Sequence, residues 1–186
     1  MKKHVWQLFV LFGLVAALAS CISDDENVEA NFERERQTIQ EFVQSYDEEY
    51  IRRVDVGETG VVLLFLEESE EGLRPDNFNT DTLYVDYIGS LLDGTVFDTS
   101  IESVAEENDI HNPNREYGPF RVSPEQGVIQ GWYAALSEMK EGDKVLAVIP
   151  SIYAYGNQSP SPLIPPNTIL KFEMDLVRVA KPEVDE

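Results

Sequence analysis

The sequence predicts an α+β domain in which an antiparallel sheet folds around one short helix. Three observations carry that prediction. Leu83, Val85 and Tyr87 alternate with more polar neighbours, as do Leu170, Phe172, Met174 and Leu176 against Lys171, Glu173 and Asp175; such period-two alternation marks a strand with one buried face. Val61 to Leu66 and Lys144 to Ile149 are continuous apolar runs of strand length. One stretch among them has helical period instead: Trp132, Ala135, Leu136 and Met139 share a face, with Gly142 placed to end the helix in a left-handed cap. Many strands and one internal helix give an α+β layer architecture.

The chain opens differently. Met1-Lys2-Lys3-His4 is basic, and Val5 to Ala19 is apolar apart from Gln7, the form of a secretory signal and too short for a membrane span of about 20 residues. Leu18-Ala19-Ser20-Cys21 resembles the bacterial lipoprotein box, in which small residues precede a cysteine that is lipidated after cleavage. Ser23-Asp24-Asp25-Glu26 resembles the acidic stretch that directs some lipoproteins to the cell surface. The expectation is a bacterial envelope protein anchored to a membrane by a lipid on Cys21, on the periplasmic face or the cell surface.

Residues 1–20 are thus expected as signal peptide and residues 21–30, polar and acidic without apolar period, as a flexible tether. Ile39, Phe42, Val43, Tyr46 and Tyr50 then recur at intervals of three and four, one apolar stripe of a helical extension assigned to residues 31–55. The stripe is expected to pack on the domain, with pairing to a second copy as the alternative. Gly57 and Gly60 interrupt the period before the strands begin.

Composition narrows the chemistry. Loss of residues 1–20 removes Lys2 and Lys3 and leaves 12 Lys and Arg against 35 Asp and Glu, a formal charge of −23. Such a surface repels nucleic acid. After residue 20 there is one cysteine, Cys21, and one histidine, His111. An intrachain disulfide is therefore impossible, and a His-based triad or His/Cys zinc site is hard to assemble. No cofactor or metal is expected.

Three ordered segments carry a family resemblance. The run from Val85 to Ser100 contains Val85, Tyr87, Gly89, Leu91, Asp93-Gly94, Phe97-Asp98 and Ser100 at the spacing V-x-Y-x-G-x-L-x-D-G-x-x-F-D-x-S. Val128-Ile129-Gln130-Gly131-Trp132 follows, and then Tyr153-Ala154-Tyr155-Gly156 with Leu163-Ile164-Pro165-Pro166 and Leu170-Lys171-Phe172. In order and spacing these resemble the signatures of the FKBP-type peptidyl-prolyl cis-trans isomerases, over residues 56–180, with 181–186 left as an acidic tail.

The resemblance implies an FKBP-like antiparallel sheet half-wrapped around the short helix. It also implies isomerisation of Xaa-Pro bonds in exported, proline-containing polypeptides, and binding of the family's macrolide ligands. It assigns catalytic roles to Tyr87, Phe97, Asp98, Ile129, Trp132, Tyr155 and Phe172. Phe120, Val128, Leu163 and Ile164 become substrate-binding residues. In this scheme Trp132 is the floor of an aromatic pocket, the Ile129 N–H binds the substrate chain, and Asp98 is a carboxylate in an apolar surround, held by hydrogen bonds and supplying a local field.

The sequence departs from the family at Asp86, a position often basic or polar, and at Pro160, often histidine. Residues 101–119 form an insertion about a dozen residues longer than compact members carry. Its polar composition predicts a mobile surface loop beside the pocket, with a short helix over Glu102–Asn108 as the alternative. The competing functional class is a non-catalytic chaperone or partner-binding lipoprotein on the same fold.

Overall fold

The computed structural model describes residues 24–182. The expected signal peptide, Cys21 and residues 183–186 lie outside them. The chain divides into two units at Asn31 and Phe32. Within the described residues the first unit holds only the opening turns of helix α1 (Asp24–Ser45).

Among the described residues seven strands form one antiparallel sheet: β1 (Arg52–Asp55), β2 (Val62–Glu67), β3 (Thr82–Leu91), β4 (Val96–Thr99), β5 (Phe120–Val122), β6 (Lys144–Ile149) and β7 (Leu170–Ala180). Their order is β1-β2-β6-β7-β3-β4, with β5 also paired to β3. Two helices interrupt them, α2 (Glu102–Glu107) and α3 (Gln130–Glu138). The predicted α+β class and the sheet around one short helix are what the chain adopts.

The concave face makes the main core. β3 and β7 bury every second residue there, Leu83, Val85 and Tyr87 from one and Leu170, Phe172, Met174 and Leu176 from the other. Trp132, Ala135 and Leu136 of α3, with Met139 just beyond it, close over them, each large side chain contributing roughly 1.5–3 kcal/mol of burial. Close approach of α3 to β6 requires Gly131, because a Cβ there would stand 2.3 Å from Cγ2 of Ile149.

β2 and β6 differ from β3 and β7 because both their faces are covered. Val62, Leu64, Leu146 and Val148 point to the outer face, where Ile39 and Val43 of α1 bury against them in a second cluster. That accounts for the continuous apolar runs, since a strand buried on both sides has no polar alternation to show. The α1 stripe thus packs on the domain, and Arg53 adds a 2.6 Å hydrogen bond from Nη2 to Gln40 Oε1.

Three boundaries differ from expectation. Helix α1 begins at Asp24, inside the stretch expected as tether, and ends at Ser45 before Tyr50. Residues 52–55, placed in the helical extension, are a sheet strand paired with β2; four residues are too few for periodicity to reveal. Helix α3 stops at Glu138 with Met139 extended, and the positive φ of Gly142, +86°, belongs to the turn entering β6 rather than to the helix cap.

Candidate active site

Adjacent elements deliver the site's side chains to one end of the concave face. β3 projects Tyr87 inward, and β4 pairs with it so that Asp98 lies across from Gly89. Gly89 leaves room for two aromatic walls: a Cβ there would come 2.7 Å from Cε2 of Phe97 and 2.8 Å from Cε1 of Phe172. β5 brings Phe120 beside Val85, and β7 brings Phe172 beside Gly89.

Trp132 lies at the base. Its ring meets Tyr87 at 5.1 Å and 77°, Phe172 at 5.4 Å and 85°, and Phe120 at 6.1 Å and 83°. Phe97 meets Phe172 at 5.6 Å and 84°. Edge-to-face pairs of this kind favour a fixed arrangement of rings beyond their burial. The rings, with Asp98, Gly127, Val128, Ile129 and Tyr155, line a cavity of about 410 Å³.

Nine of the eleven residues expected to act on substrate therefore meet around one cavity. The other two lie elsewhere on the loop before β7: Ile164 is buried in the main core at 4% exposure, and Leu163 is 40% exposed. Gly127 is an addition, and a glycine before a Val-Ile pair carries no sequence signal of its own.

Polar groups line one side. The Tyr87 hydroxyl donates to Asp98 Oδ2 at 2.6 Å, and the Thr99 N–H donates to Asp98 Oδ1 at 2.9 Å. Arg115 then binds both members, forming an ion pair with Asp98 and donating from Nη2 to the Tyr87 oxygen at 3.0 Å. Burial, followed by the adjacent carboxylate, pushes the Tyr87 phenol well above the ordinary tyrosine range. Burial and the charge of Asp98 push Tyr155 up as well. Both phenols thus stay protonated at neutral pH and able to donate.

Arg115 corrects two expectations. Asp98 is held by hydrogen bonds as expected, but its surround is not apolar: it is half-exposed and ion-paired with Arg115. Nor is the insertion a loop apart from the core. The short-helix alternative holds: residues 102–107 form α2 with Ala105 buried, and the Gly118 N–H donates to the Ser100 carbonyl at 2.8 Å. Tyr117 supports Arg115, whose guanidinium carbon lies 5.3 Å from the ring centroid. One signal was available: Arg115 is the single Lys or Arg between Ser100 and Phe120.

Among the described residues one group of side chains has donors close enough to share a cation. Glu102, Glu106 and His111 lie on the insertion with ligand atoms within 4.8 Å of one another. All are exposed, and His111 Nε2 already stands 3.2 Å from Glu102 Oε1. They are outside the cavity.

The family model for FKBP-type peptidyl-prolyl cis-trans isomerases matches residues 76–177, more than half the chain. The chain belongs to that family. It is 36% identical over 139 residues to the FKBP-type isomerase FkpA of Escherichia coli K12, covering 71% of this chain and 45% of the relative. It is 35% identical over 135 residues to the FKBP-type 22 kDa isomerase of the same organism, covering 72% and 58%. The chain thus spans about half the length of these relatives.

Among solved structures, a peptidyl-prolyl isomerase from Pseudomonas syringae superposes with TM-score 0.58 at 28% identity, covering 83% of this chain and 96% of the other. Escherichia coli FkpA superposes with TM-score 0.57 at 27% identity, covering 97% and 74%. The FkpA structure and the family model agree with the sheet and helix described above and with the N-terminal helix.

Proposed function

We propose that this protein isomerises Xaa-Pro bonds in exported polypeptides by stabilising a twisted imide, without covalent chemistry. The observation that carries the proposal is the aromatic cavity, walled by Tyr87, Phe97, Phe120 and Phe172 over Trp132 and edged by the Asp98–Tyr87–Arg115 cluster.

Rotation about a peptide bond meets a barrier of about 18–20 kcal/mol because resonance gives the C–N bond double-bond character. Only Xaa-Pro bonds hold both isomers within about 1 kcal/mol, which makes them the natural substrate. The twisted amide has lost resonance, so its carbonyl carries less charge separation and needs water less. A cavity of rings that takes the proline out of water favours that state over the planar one.

The polar edge supplies oriented dipoles. Tyr155 offers a hydroxyl that stays protonated, the Ile129 N–H binds the substrate backbone, and Asp98 is held in one orientation by Tyr87, Thr99 and Arg115. Leu163, exposed on the loop that also carries Ile164, extends the substrate surface beyond the cavity. The family's macrolide ligands are expected to bind between the same walls.

The signal-like residues 1–20 and the box ending at Cys21 support a lipid-anchored protein of the bacterial envelope. A protease-coupled assay on a Xaa-Pro tetrapeptide tests the enzymatic reading. A rate above background that a macrolide of the family inhibits competitively is expected. Folded protein with no such rate would replace this reading with that of a non-catalytic binding protein.

A further inference from the structure

Helix α1 does more than cover the outer face of the sheet. Its Glu35 is 6% exposed and accepts two hydrogen bonds from Ser151: from the backbone N–H to Oε2 at 2.7 Å, and from the hydroxyl to Oε1 at 2.7 Å. Ser151 is itself 3% exposed. A third contact lies one turn earlier on the helix, where the Phe32 ring meets Tyr153 at 6.4 Å. One face of α1 therefore grips the turn Ser151–Tyr153 that follows β6.

That turn leads straight to the cavity. The Ser151 carbonyl accepts from the N–H groups of Ala154 at 2.9 Å and Gly156 at 2.8 Å. These are the residues on either side of Tyr155, which lines the cavity. Gly156, at φ +57°, then accepts from the Asn167 N–H at 2.7 Å, which ties in the loop preceding β7. Both hydrogen-bonding groups that Glu35 holds thus belong to the residue whose carbonyl holds the backbone flanking Tyr155.

Anchoring the helix does not require a carboxylate. Ile39 and Val43 already bury against the sheet, and taking a charged group out of water is costly, so a buried carboxylate is weak evidence for stability by itself. What it supplies in addition is direction, since two charge-assisted hydrogen bonds fix both the backbone and the side chain of Ser151.

We propose that Glu35 is a positioning residue for the isomerase reaction: through Ser151 it sets where Tyr155 stands in the cavity wall, so that α1 tunes a site it does not touch. This rests on the enzymatic reading above.

The test uses the full chain in mild detergent, with kcat/KM on Xaa-Pro tetrapeptides, thermal melting, and a cycle of Glu35→Gln with Tyr155→Ala. Glu35→Gln is expected to lower kcat/KM about fivefold, Ser151→Ala less so, and exposed Glu41→Gln not at all. In the Tyr155→Ala background the Glu35 substitution should change the rate by less than about twofold, because the group it positions is gone. Full activity in Glu35→Gln overturns the inference. So does an equal loss in both backgrounds, or a loss that follows the melting temperature alone, because either marks a merely structural role. If Glu35→Gln does not fold, Ser151→Ala in the same cycle decides. An inactive wild type would instead remove the enzymatic reading itself.

Discussion

The Tyr87 hydroxyl and the Asp98 carboxylate, on neighbouring antiparallel strands, are joined at 2.6 Å, and Arg115 reaches in from the insertion to bind both. Three groups therefore share one charge-balanced edge of a largely aromatic cavity. Asp98 keeps a fixed orientation because each of its oxygens has a donor.

Removing Arg115 should loosen that edge. Arg115→Ala is expected to lower kcat/KM on a tetrapeptide about fivefold, with Arg115→Lys intermediate because a point charge cannot make the forked contact. Replacing residues 101–119 by a Gly-Ser link should cost at least as much, since it deletes the arginine. A tetrapeptide rate unchanged in Arg115→Ala would show that Tyr87 and Thr99 suffice to hold Asp98.

Asp175 predicts a pH dependence. It faces Asp86 across β7 and β3, and burial, with Asp86 and Glu67 adding against the opposing pull of Lys144, raises its pKa above the ordinary aspartate value of 3.8. The folded state then holds this proton at pH values where the unfolded chain has lost it, so stability falls as pH rises upward from about 4. Asp175→Asn should raise Tm at pH 7 by about 1–3 °C, the scale of one like-charged cross-strand pair. The gain should vanish at pH 3, where both states are protonated; calorimetry at the two pH values checks it.

Ile39 tests whether α1 is an integral part of the domain. Its side chain is fully buried in the second cluster, so Ile39→Ala should destabilise the fold by about 2–4 kcal/mol in urea unfolding. A change under about 0.5 kcal/mol would mean that the helix contributes little to the sheet it covers.

Cys21 is tested by mass. Protein extracted from membranes should begin at a lipid-modified Cys21, and Cys21→Ser should leave it unprocessed or release it. An unmodified cysteine in the membrane fraction would remove the anchor.

Much of this protein was legible in one dimension, for identifiable reasons. Alternation in β3 and β7 reports a half-buried face directly, because side chains on a strand point to opposite sides in turn. The cavity residues were legible because Tyr87, Phe97, Asp98, Ile129, Trp132, Tyr155 and Phe172 sit inside ordered motifs, each on a short segment whose local geometry the motif sets. Arg115 was not, because it lies in a segment without a motif, and its partner is a residue 17 positions away.

What the sequence determined by itself was the fold class, the family motifs and the surface charge, all of which follow from local pattern or from composition. Only the tertiary structure decided which element covers the outer face of β2 and β6, since a continuous apolar run says that both sides are buried but not by what. It alone joined Glu35 to Ser151 across 116 residues. A hydrogen bond at that separation leaves no periodicity in the chain, because it depends on where the packed helix places one carboxylate and not on the residues beside it.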